Sequence, residues 1–224
     1  MKKILFTIVA ALMAAPTFAQ YSSSGFVLDK ESLYYGIRIG MTAACLSGSA
    51  ETDGGREYKT DLGTKTGLTL AGVLGLRLSS YTPVFLESGL YYTERGGKDG
   101  DYKVSYTNLE VPLLLKYGIK AGKNVAILPY VGPYFAYAVS GKTKCDDNGF
   151  EPEVGTFDEK KAKTGGLNRF NMGVKLGCGF EYDMLYLEAG YQLGISNIGK
   201  NGPDGNLDLS ARSNAVFVNL GVNF

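Results

Sequence analysis

The last eleven residues, Asn214 to Phe224 (NAVFVNLGVNF), constrain the fold of this chain more than any other stretch. Apolar residues occupy every second position of this stretch, at Val216, Val218, Leu220, Val222 and Phe224. A period of two predicts a β-strand with one strongly apolar face, and about ten residues suffice for a tilted strand to cross a bilayer. Because lipid offers the backbone no hydrogen bonds, both edges of such a strand must be paired, which predicts a closed sheet of similar strands.

The first residues indicate export. Two lysines precede a short apolar run, Ile4 to Met13, and small residues follow up to Ala19. This pattern predicts a secretory signal peptide at residues 1–19, cleaved after Ala19, because the apolar run is shorter than the roughly 20 residues of a membrane helix. We then expect a Ser-rich periplasmic N-terminal arm at residues 20–33 and one outer-membrane β-barrel domain at residues 34–224.

Seven further stretches show the same alternation, although the fifth contains two prolines that remove backbone donors. In chain order they are Tyr34–Leu46, Leu68–Leu78, Val84–Thr93, Asn108–Tyr117, Pro129–Ser140, Phe170–Tyr182 and Leu185–Ile195. Short turns alternate with longer polar segments, which are residues 47–66, 96–101, 141–167 and 197–213. The pattern predicts an all-β fold: an eight-stranded antiparallel up-and-down transmembrane β-barrel with short periplasmic turns and long extracellular loops.

Alternation alone leaves open which face points outward, so a soluble barrel of lipocalin type, with its apolar face inward, is the alternative. The polar face is mostly Gly, Ala, Asn and Thr, which suits the crowded interior of a small barrel better than a sheet facing water. The few charges on this face nearly balance. Because buried charges need partners, we predict an internal salt-bridge network, and not a catalytic set, formed by Arg38, Arg77, Lys116, Lys175, Glu87, Glu110, Glu181 and Glu188.

Aromatic residues cluster near the predicted strand ends, as expected for the two interfaces of a membrane. Those assigned to the periplasmic ends are Tyr81, Tyr117, Tyr130, Tyr182, Tyr186 and Phe224, and those assigned to the outer ends are Tyr92, Tyr106, Tyr137 and Phe170.

The chain has three cysteines, so at most one disulfide can form within it. Cys45 and Cys145 could pair in an oxidising compartment if both lie at the outer rim. The alternative is three unpaired thiols.

Several functions are disfavoured by what the sequence lacks. The chain has no histidine, which argues against Ser-His-Asp hydrolases and most zinc sites, and a net charge of +1 gives no basic field for nucleic acid. Two acidic stretches, Asp146 to Glu151 and Asp204 to Asp208, lack the spacing of a full calcium loop and favour solvated turns. We therefore expect a protein that is not an enzyme and that has no cofactor and no metal site.

Three stretches carry a family resemblance: LESGLYYTERGG (Leu86 to Gly97), NLEVPLLLKYG (Asn108 to Gly118) and PYVGPYFAYAVSG (Pro129 to Gly141). Together with the terminal aromatic residue, they resemble small outer-membrane β-barrel proteins of Bacteroidota, of the porin-family or PorT type. The resemblance implies insertion by the outer-membrane assembly machinery, which recognises a last strand that ends in an aromatic residue. In this chain Phe224, Val222 and Leu220 match that assembly signal.

Three roles remain open at this point. The barrel could have a lumen filled by side chains and use its loops to bind an extracellular ligand or to stiffen the envelope. It could be a narrow channel for ions or small solutes, or an accessory component of a secretion or assembly complex. In each case the partners include outer-membrane lipid.

Overall fold

The structure, a computed structural model, describes residues 33–52, 56–99, 102–145, 154–155, 168–199 and 207–224. The predicted signal peptide, nearly all of the predicted arm and both acidic stretches except for residues 207–208 lie outside these ranges. Eight long strands make up the fold: β1 (Leu33–Thr52), β2 (Arg56–Arg77), β3 (Val84–Asp99), β4 (Tyr102–Tyr117), β5 (Val125–Cys145), β6 (Phe170–Tyr182), β7 (Leu185–Gly194) and β8 (Leu207–Asn223).

The strands form a closed antiparallel ring. Each strand pairs with the next along the chain, and β8 returns to pair with β1 from Gly36 opposite Asn223 to Thr52 opposite Leu207. Two short segments, Ile119–Lys120 and Val154–Gly155, add to the edges of β5. The predicted eight-stranded antiparallel up-and-down barrel is therefore confirmed, and closure leaves no unpaired sheet edge facing lipid.

At one end of the ring the connections are short. Asp183 and Met184 alone join β6 to β7, and Asp183 adopts the left-handed conformation with a φ of 54°. An aspartate tolerates this conformation better than most residues, because its short polar side chain can bond to the local backbone. This end matches the predicted side of short turns.

At the other end, two segments predicted as loops are largely strand. β1 continues to Thr52 and β2 begins at Arg56, whereas residues 47–66 are predicted as a loop. In the same way β3 reaches Asp99 and β4 begins at Tyr102. The polar composition marks where the chain leaves lipid, but backbone pairing continues because each of these extensions still has a paired neighbour on at least one side.

An apolar band surrounds the barrel. On β1 and β8 the outward residues Ile39 and Leu220 are 61% and 60% exposed, whereas the adjacent Arg38 and Asn219 are buried. On β5 the outward apolar residues run from Ile127 to Val139. At about 3.3 Å per residue and a strand tilt of about 40°, this run spans about 30 Å along the barrel axis, the thickness of a bilayer core. The apolar face therefore points outward, which excludes the lipocalin-type alternative.

No helix in the described part of the chain is long and apolar enough to cross a membrane.

Glycines on the inner face make room for tyrosine rings. A Cβ added to Gly75 on β2 would overlap the ring of Tyr34 on β1, and one added to Gly179 on β6 would overlap the ring of Tyr186 on β7. Both rings are buried. Large rings therefore occupy the space of missing side chains on an adjacent strand, which lets a small barrel fill its interior.

Candidate functional site in the barrel lumen

The charged residues of the inner face define the candidate site. Seven of the eight residues predicted to form the internal network are buried: Arg38, Glu87, Glu110, Lys116, Lys175, Glu181 and Glu188. Arg77 lies apart, as the last residue of β2, where it is only partly buried and donates from Nε to the Ser79 carbonyl at 2.9 Å.

The carboxylate of Glu87 is the centre of the cluster nearest the periplasmic end. Its Oε2 accepts a hydrogen bond from the Tyr34 hydroxyl at 2.7 Å and pairs with Lys116 Nζ at 2.8 Å. The Arg38 guanidinium lies 3.7 Å from the same oxygen. These groups come from β1, β3 and β4, so one buried carboxylate joins three strands across the lumen. Such a charge is tolerated in the interior only because its partners are held in place.

Asparagines of β8 bind two further carboxylates, and one of these asparagines also contacts β1. Asn219 donates from Nδ2 to Glu188 Oε1 at 2.7 Å, and Asn223 donates from Nδ2 to Glu181 Oε1 at 3.2 Å. Asn223 also accepts a hydrogen bond from Arg38 Nη2 at 2.6 Å. The last strand therefore contributes to the polar interior as well as to the apolar exterior.

Aromatic faces surround the cations. Lys175 Nζ lies 4.2 Å from the ring centroids of both Tyr91 and Phe217. The Arg38 guanidinium lies 4.0 Å from the centroid of Tyr186. A ring face attracts a cation electrostatically, and the attraction grows where water is excluded. The tyrosines thus fill the lumen and stabilise its positive charges.

A second cluster lies nearer the outer end and includes a residue absent from the sequence prediction, Arg95. Its Nη2 lies 2.6 Å from Glu110 Oε1 and donates to the side-chain oxygen of Gln192. Gln192 in turn donates from Nε2 to Glu110 Oε2 at 3.0 Å. The glycines after Arg95 suggest that the strand ends early, which explains why the sequence prediction omits this residue. Arg95 nevertheless lies an even number of positions from Glu87, and this spacing predicts an inward side chain.

The buried charges of the described residues balance. Four cations, Arg38, Arg95, Lys116 and Lys175, accompany four carboxylates, Glu87, Glu110, Glu181 and Glu188. An interior with no net charge presents no electrostatic preference for a passing ion of either sign.

Apolar clusters lie beyond these charges at both ends. At the periplasmic end Phe85 and Leu128 pack with their neighbours, in a cluster of Tyr34, Phe85, Ala126, Leu128 and Tyr186. At the outer end the cluster is Leu46, Val104, Tyr106, Ala138 and Ile198. Ile198 follows β7 and is held over the mouth by a hydrogen bond from its N–H to the Ala211 carbonyl at 2.8 Å. Beside it lies a crevice of about 10 Å³, which has room for one water molecule.

The structure corrects part of the predicted aromatic belts. Tyr106, Tyr130 and Tyr186 are buried in the lumen and do not face lipid. The distance of a residue from the strand end does not reveal whether its side chain points inward or outward. These three tyrosines occupy the alternate positions of their strands that point inward. Other members of the two belts do face outward, including Tyr117 and Tyr182 at one end and Tyr137 and Phe170 at the other.

The structure also corrects the suggested disulfide. Cys45 is a free thiol on β1, whereas Cys145 is the last residue of β5, four strands away in a ring of eight. Strands four apart lie on opposite sides of the barrel, and cysteines can bridge only when their Cα atoms approach within about 7 Å. Cys178 is a free, exposed thiol on β6.

The three residues of the predicted assembly signal lie on the outer side of β8 or at its end. Leu220 is exposed, Val222 is half-buried, and the Phe224 ring stacks on Tyr35 of β1 at a centroid distance of 5.5 Å. Among the residues whose positions are described, no group of three or more His, Cys, Asp or Glu could hold a metal ion.

Comparison with known proteins identifies the family. The family model described as outer membrane protein beta-barrel domain matches residues 18–199. Among solved structures, the chain is similar to the outer membrane protein OprG from Pseudomonas aeruginosa, with 18% identity, 85% of this chain and 95% of that chain covered, and a TM-score of 0.50. At this identity the likeness concerns the fold alone.

Two other solved structures are similar to a lesser degree. Neisserial surface protein A shows 17% identity, with 85% of this chain and 97% of that chain covered and a TM-score of 0.42. The attachment invasion locus protein Ail of Yersinia pestis shows 14% identity, with 87% of this chain and 100% of that chain covered and a TM-score of 0.40. No curated protein matches the chain by sequence. Because the family model spans most of the chain, this protein belongs to the outer membrane protein beta-barrel domain family and is a protein of the outer membrane.

Proposed function

We propose that the protein is a non-enzymatic, non-conducting outer-membrane barrel that presents its outer hairpins as a binding surface or as a structural element of the envelope. The observation that carries this proposal is the closed lumen: four buried cations balance four buried carboxylates, and apolar clusters cover the charges at both ends. Within the family we group the chain with the PorT-type barrels of Bacteroidota, on the strength of the run from Glu110 to Tyr117.

The lumen opposes conduction for a physical reason. An ion crossing it would have to displace Lys116 or Arg38 from Glu87, and this would leave a buried charge without its partner. It would also have to pass Phe85 and Leu128 at one end and Ile198 at the other, all nearly inaccessible to solvent. An eight-stranded barrel has an interior just wide enough for side chains, so no second path is available beside them.

The outer hairpins are the part of the molecule most suited to recognition. β1 and β2 continue past the apolar band as a paired ribbon to Thr52 and Arg56, and β8 flanks the same ribbon from Leu207. A paired ribbon holds its two strands in a defined place at less entropic cost than a free loop of the same length. Rigid presentation of variable tips is how many binding proteins place their contact residues.

Conductance in planar lipid bilayers tests the proposal. We expect purified wild-type protein to give no stable current, and the variant Ile198→Gly, which removes the apolar side chain at the mouth, to remain silent because the polar clusters beneath still fill the lumen. A stable, ion-selective current from the wild-type protein would refute the proposal and favour the narrow channel. OprG or another barrel, inserted under the same conditions, serves as the control for insertion. The folded gel mobility of this control barrel is checked beforehand.

A further inference from the structure

The crevice at the outer mouth of the barrel lies over two small residues of β5. Asn108 on β4 stands opposite Ala138 on β5. Asn171 on β6 stands opposite Ala136, two positions further along the same inner face of β5. Because an alanine extends no further than its Cβ, the side chains of β5 leave space between the two asparagines. The lining of the crevice includes both asparagines, Ala138 and Ile198.

Each asparagine brings a buried hydrogen-bond donor to this crevice. Asn108 is 1% exposed and Asn171 is 4% exposed. Within the described part of the chain, the Nδ2 atoms of both side chains are buried and have no hydrogen-bond partner. Buried amide groups in proteins are almost always hydrogen-bonded, because a donor without an acceptor loses the bonds that it makes in water. Two such donors in the lining of one cavity therefore call for an acceptor inside it.

The hydrogen bonds of Ser196 orient the Asn171 amide. The serine Oγ accepts from the backbone N–H of Met172 at 2.9 Å and donates to Oδ1 of Asn171 at 2.9 Å. Since the serine hydrogen is used on Oδ1, the Nδ2 of the same amide points away from Ser196. A rotated amide would instead leave the serine hydrogen without an acceptor and Oδ1 without a donor. In either orientation Asn171 has one polar atom that needs a partner.

The crevice has the size of one water molecule. Neighbouring strands lie about 4.8 Å apart, so β4 and β6, on the two sides of β5, are about 10 Å apart at the backbone. The asparagine side chains cover part of this distance, and a water that accepts from two donors at about 2.9 Å spans up to about 6 Å more. The crevice volume of about 10 Å³ is also about what one water requires. An organic ligand is too large.

A halide ion is the other guest of suitable size. Arg169 also lines the crevice, where its Nη1 donates to the Ala138 carbonyl at 3.2 Å, and its positive charge would favour an anion. Against an anion, the carboxylate of Glu110 belongs to the residue two positions from Asn108 on the same inner face, about 7 Å along the strand. Water is neutral and has hydrogens to donate as well, so it suits this mixed surrounding better than a halide does.

We propose that the crevice binds one water molecule, which accepts hydrogen bonds from Nδ2 of Asn108 and Asn171 and so joins β4 to β6 across the inner face of β5. The water lies beside Ile198 and stabilises the wall against which this residue packs. The site does not depend on whether the lumen conducts. A dry crevice would leave the buried charge clusters as they are, and a conducting lumen would not remove the two amide donors.

A high-resolution crystal structure of the intact barrel tests the site directly, with bromide-soaked crystals as a second arm. We expect an ordered oxygen within about 3.2 Å of both Nδ2 atoms, and no anomalous bromide signal at this position. A bromide signal there would overturn the assignment to water. A crevice without an ordered atom, with the Asn171 amide bonded instead to a protein group such as the Tyr134 hydroxyl, would overturn the site itself.

A pair of variants with side chains of nearly equal shape tests the same site in solution. Ala138→Thr and Ala138→Val both place a branched side chain in the crevice, but only threonine supplies an acceptor oxygen. Because two amide donors lie there, we expect the unfolding equilibrium constant of Ala138→Val in urea to be at least about fivefold higher than that of Ala138→Thr. Heat-modifiable gel mobility confirms that each variant is folded.

The matched control is the same pair of substitutions at Ala44, a buried residue on β1 that stands opposite Ala215 and does not line the crevice. At Ala44 we expect threonine to give no advantage over valine, since burying a hydroxyl costs free energy when no donor waits for it. Equal stability of Ala138→Thr and Ala138→Val, or a more stable valine variant, would overturn the proposal. If neither variant at position 138 folds, the crystal structure of the wild-type protein decides.

Discussion

Phe224 and Tyr35 close the barrel at the point where the chain's last strand meets its first. Their rings stack at a centroid distance of 5.5 Å with an interplanar angle of 20°. Their backbones also exchange hydrogen bonds, at 3.2 Å from Tyr35 N to Phe224 O and 2.7 Å from Phe224 N to Tyr35 O. The final residue therefore contacts the start of β1 through both side chain and main chain, and this contact joins the two ends of the fold.

Replacing Phe224 by Ala should reduce the amount of assembled barrel, because it removes the ring that stacks on Tyr35 and the aromatic end of the predicted assembly signal. Heat-modifiable mobility of outer-membrane fractions measures the folded amount. Phe224→Tyr keeps an aromatic ring and serves as the matched control, which we expect to assemble normally. Wild-type levels of folded Phe224→Ala would contradict this account of the terminal residue.

Glu87→Gln should destabilise the barrel by about 3–5 kcal/mol, because Lys116 and Arg38 would then share no buried carboxylate at this point. Lys116→Met should cost less, about 1–3 kcal/mol, since Glu87 keeps Arg38 and the Tyr34 hydroxyl. Urea unfolding in detergent, followed by circular dichroism, gives both values. If Lys116→Met proved the more damaging change, Glu87 would not be the centre of the cluster.

Gly75→Ala should destabilise the barrel by about 1–3 kcal/mol, because the added methyl group overlaps the buried Tyr34 ring. The same unfolding measurement on Gly122→Ala is the control, since a Cβ at this turn position meets Val125 no closer than 3.4 Å. If the ring is what the methyl group meets, the loss should shrink when Gly75→Ala is combined with Tyr34→Leu, which removes the ring, but not when it is combined with Tyr34→Phe, which keeps it. An equal loss in the Tyr34→Leu background would instead implicate the backbone of β2.

A nitroxide attached at Cys178 should report lipid surroundings. Cys178 is exposed on β6, where Leu176 and Phe180 on either side of it face outward. After reconstitution of a chain that retains only this cysteine, we expect power-saturation measurements to show frequent collisions with oxygen and few with a water-soluble nickel complex. A label at Tyr81→Cys, in the fully exposed β2–β3 turn, should show the reverse. Nickel access at Cys178 would place this part of β6 outside the bilayer core.

Cys45 and Cys145 should remain unbridged under oxidising conditions, because β1 and β5 lie on opposite sides of the ring. Electrophoresis of folded protein with and without reductant, after blocking free thiols, measures the bridge. A chain with Cys178→Ser excludes pairing between molecules through the exposed thiol. A reductant-sensitive shift in monomer mobility would mean that Cys45 and Cys145 approach each other, which would contradict their placement on opposite sides of the ring.

The inner aromatic residues show where sequence reasoning reaches its limit. Tyr130 and Tyr117 both lie near the periplasmic strand ends, yet Tyr130 is buried and Tyr117 is half exposed. Tyr117 lies on the outward face of Leu115, and Tyr130 lies on the inward face of Arg38. The second assignment links different strands, so it requires the register of the neighbouring strands. Arg95 illustrates the converse. Its odd position in β3 predicts an inward side chain, but the glycines after it suggest that the strand ends there, whereas β3 remains paired with β4 as far as Asp99.

By itself, the sequence determined the closed antiparallel barrel, its eight strands and its outward apolar face. These follow from a two-residue period and from the hydrogen-bond demand of a backbone in lipid, and both act locally along each strand. Only the tertiary structure decided which charges meet, how far the hairpins extend and that Cys45 stays apart from Cys145. The reason is that these properties depend on cross-strand register and on ring closure, which bring together residues as distant in the chain as Tyr35 and Phe224.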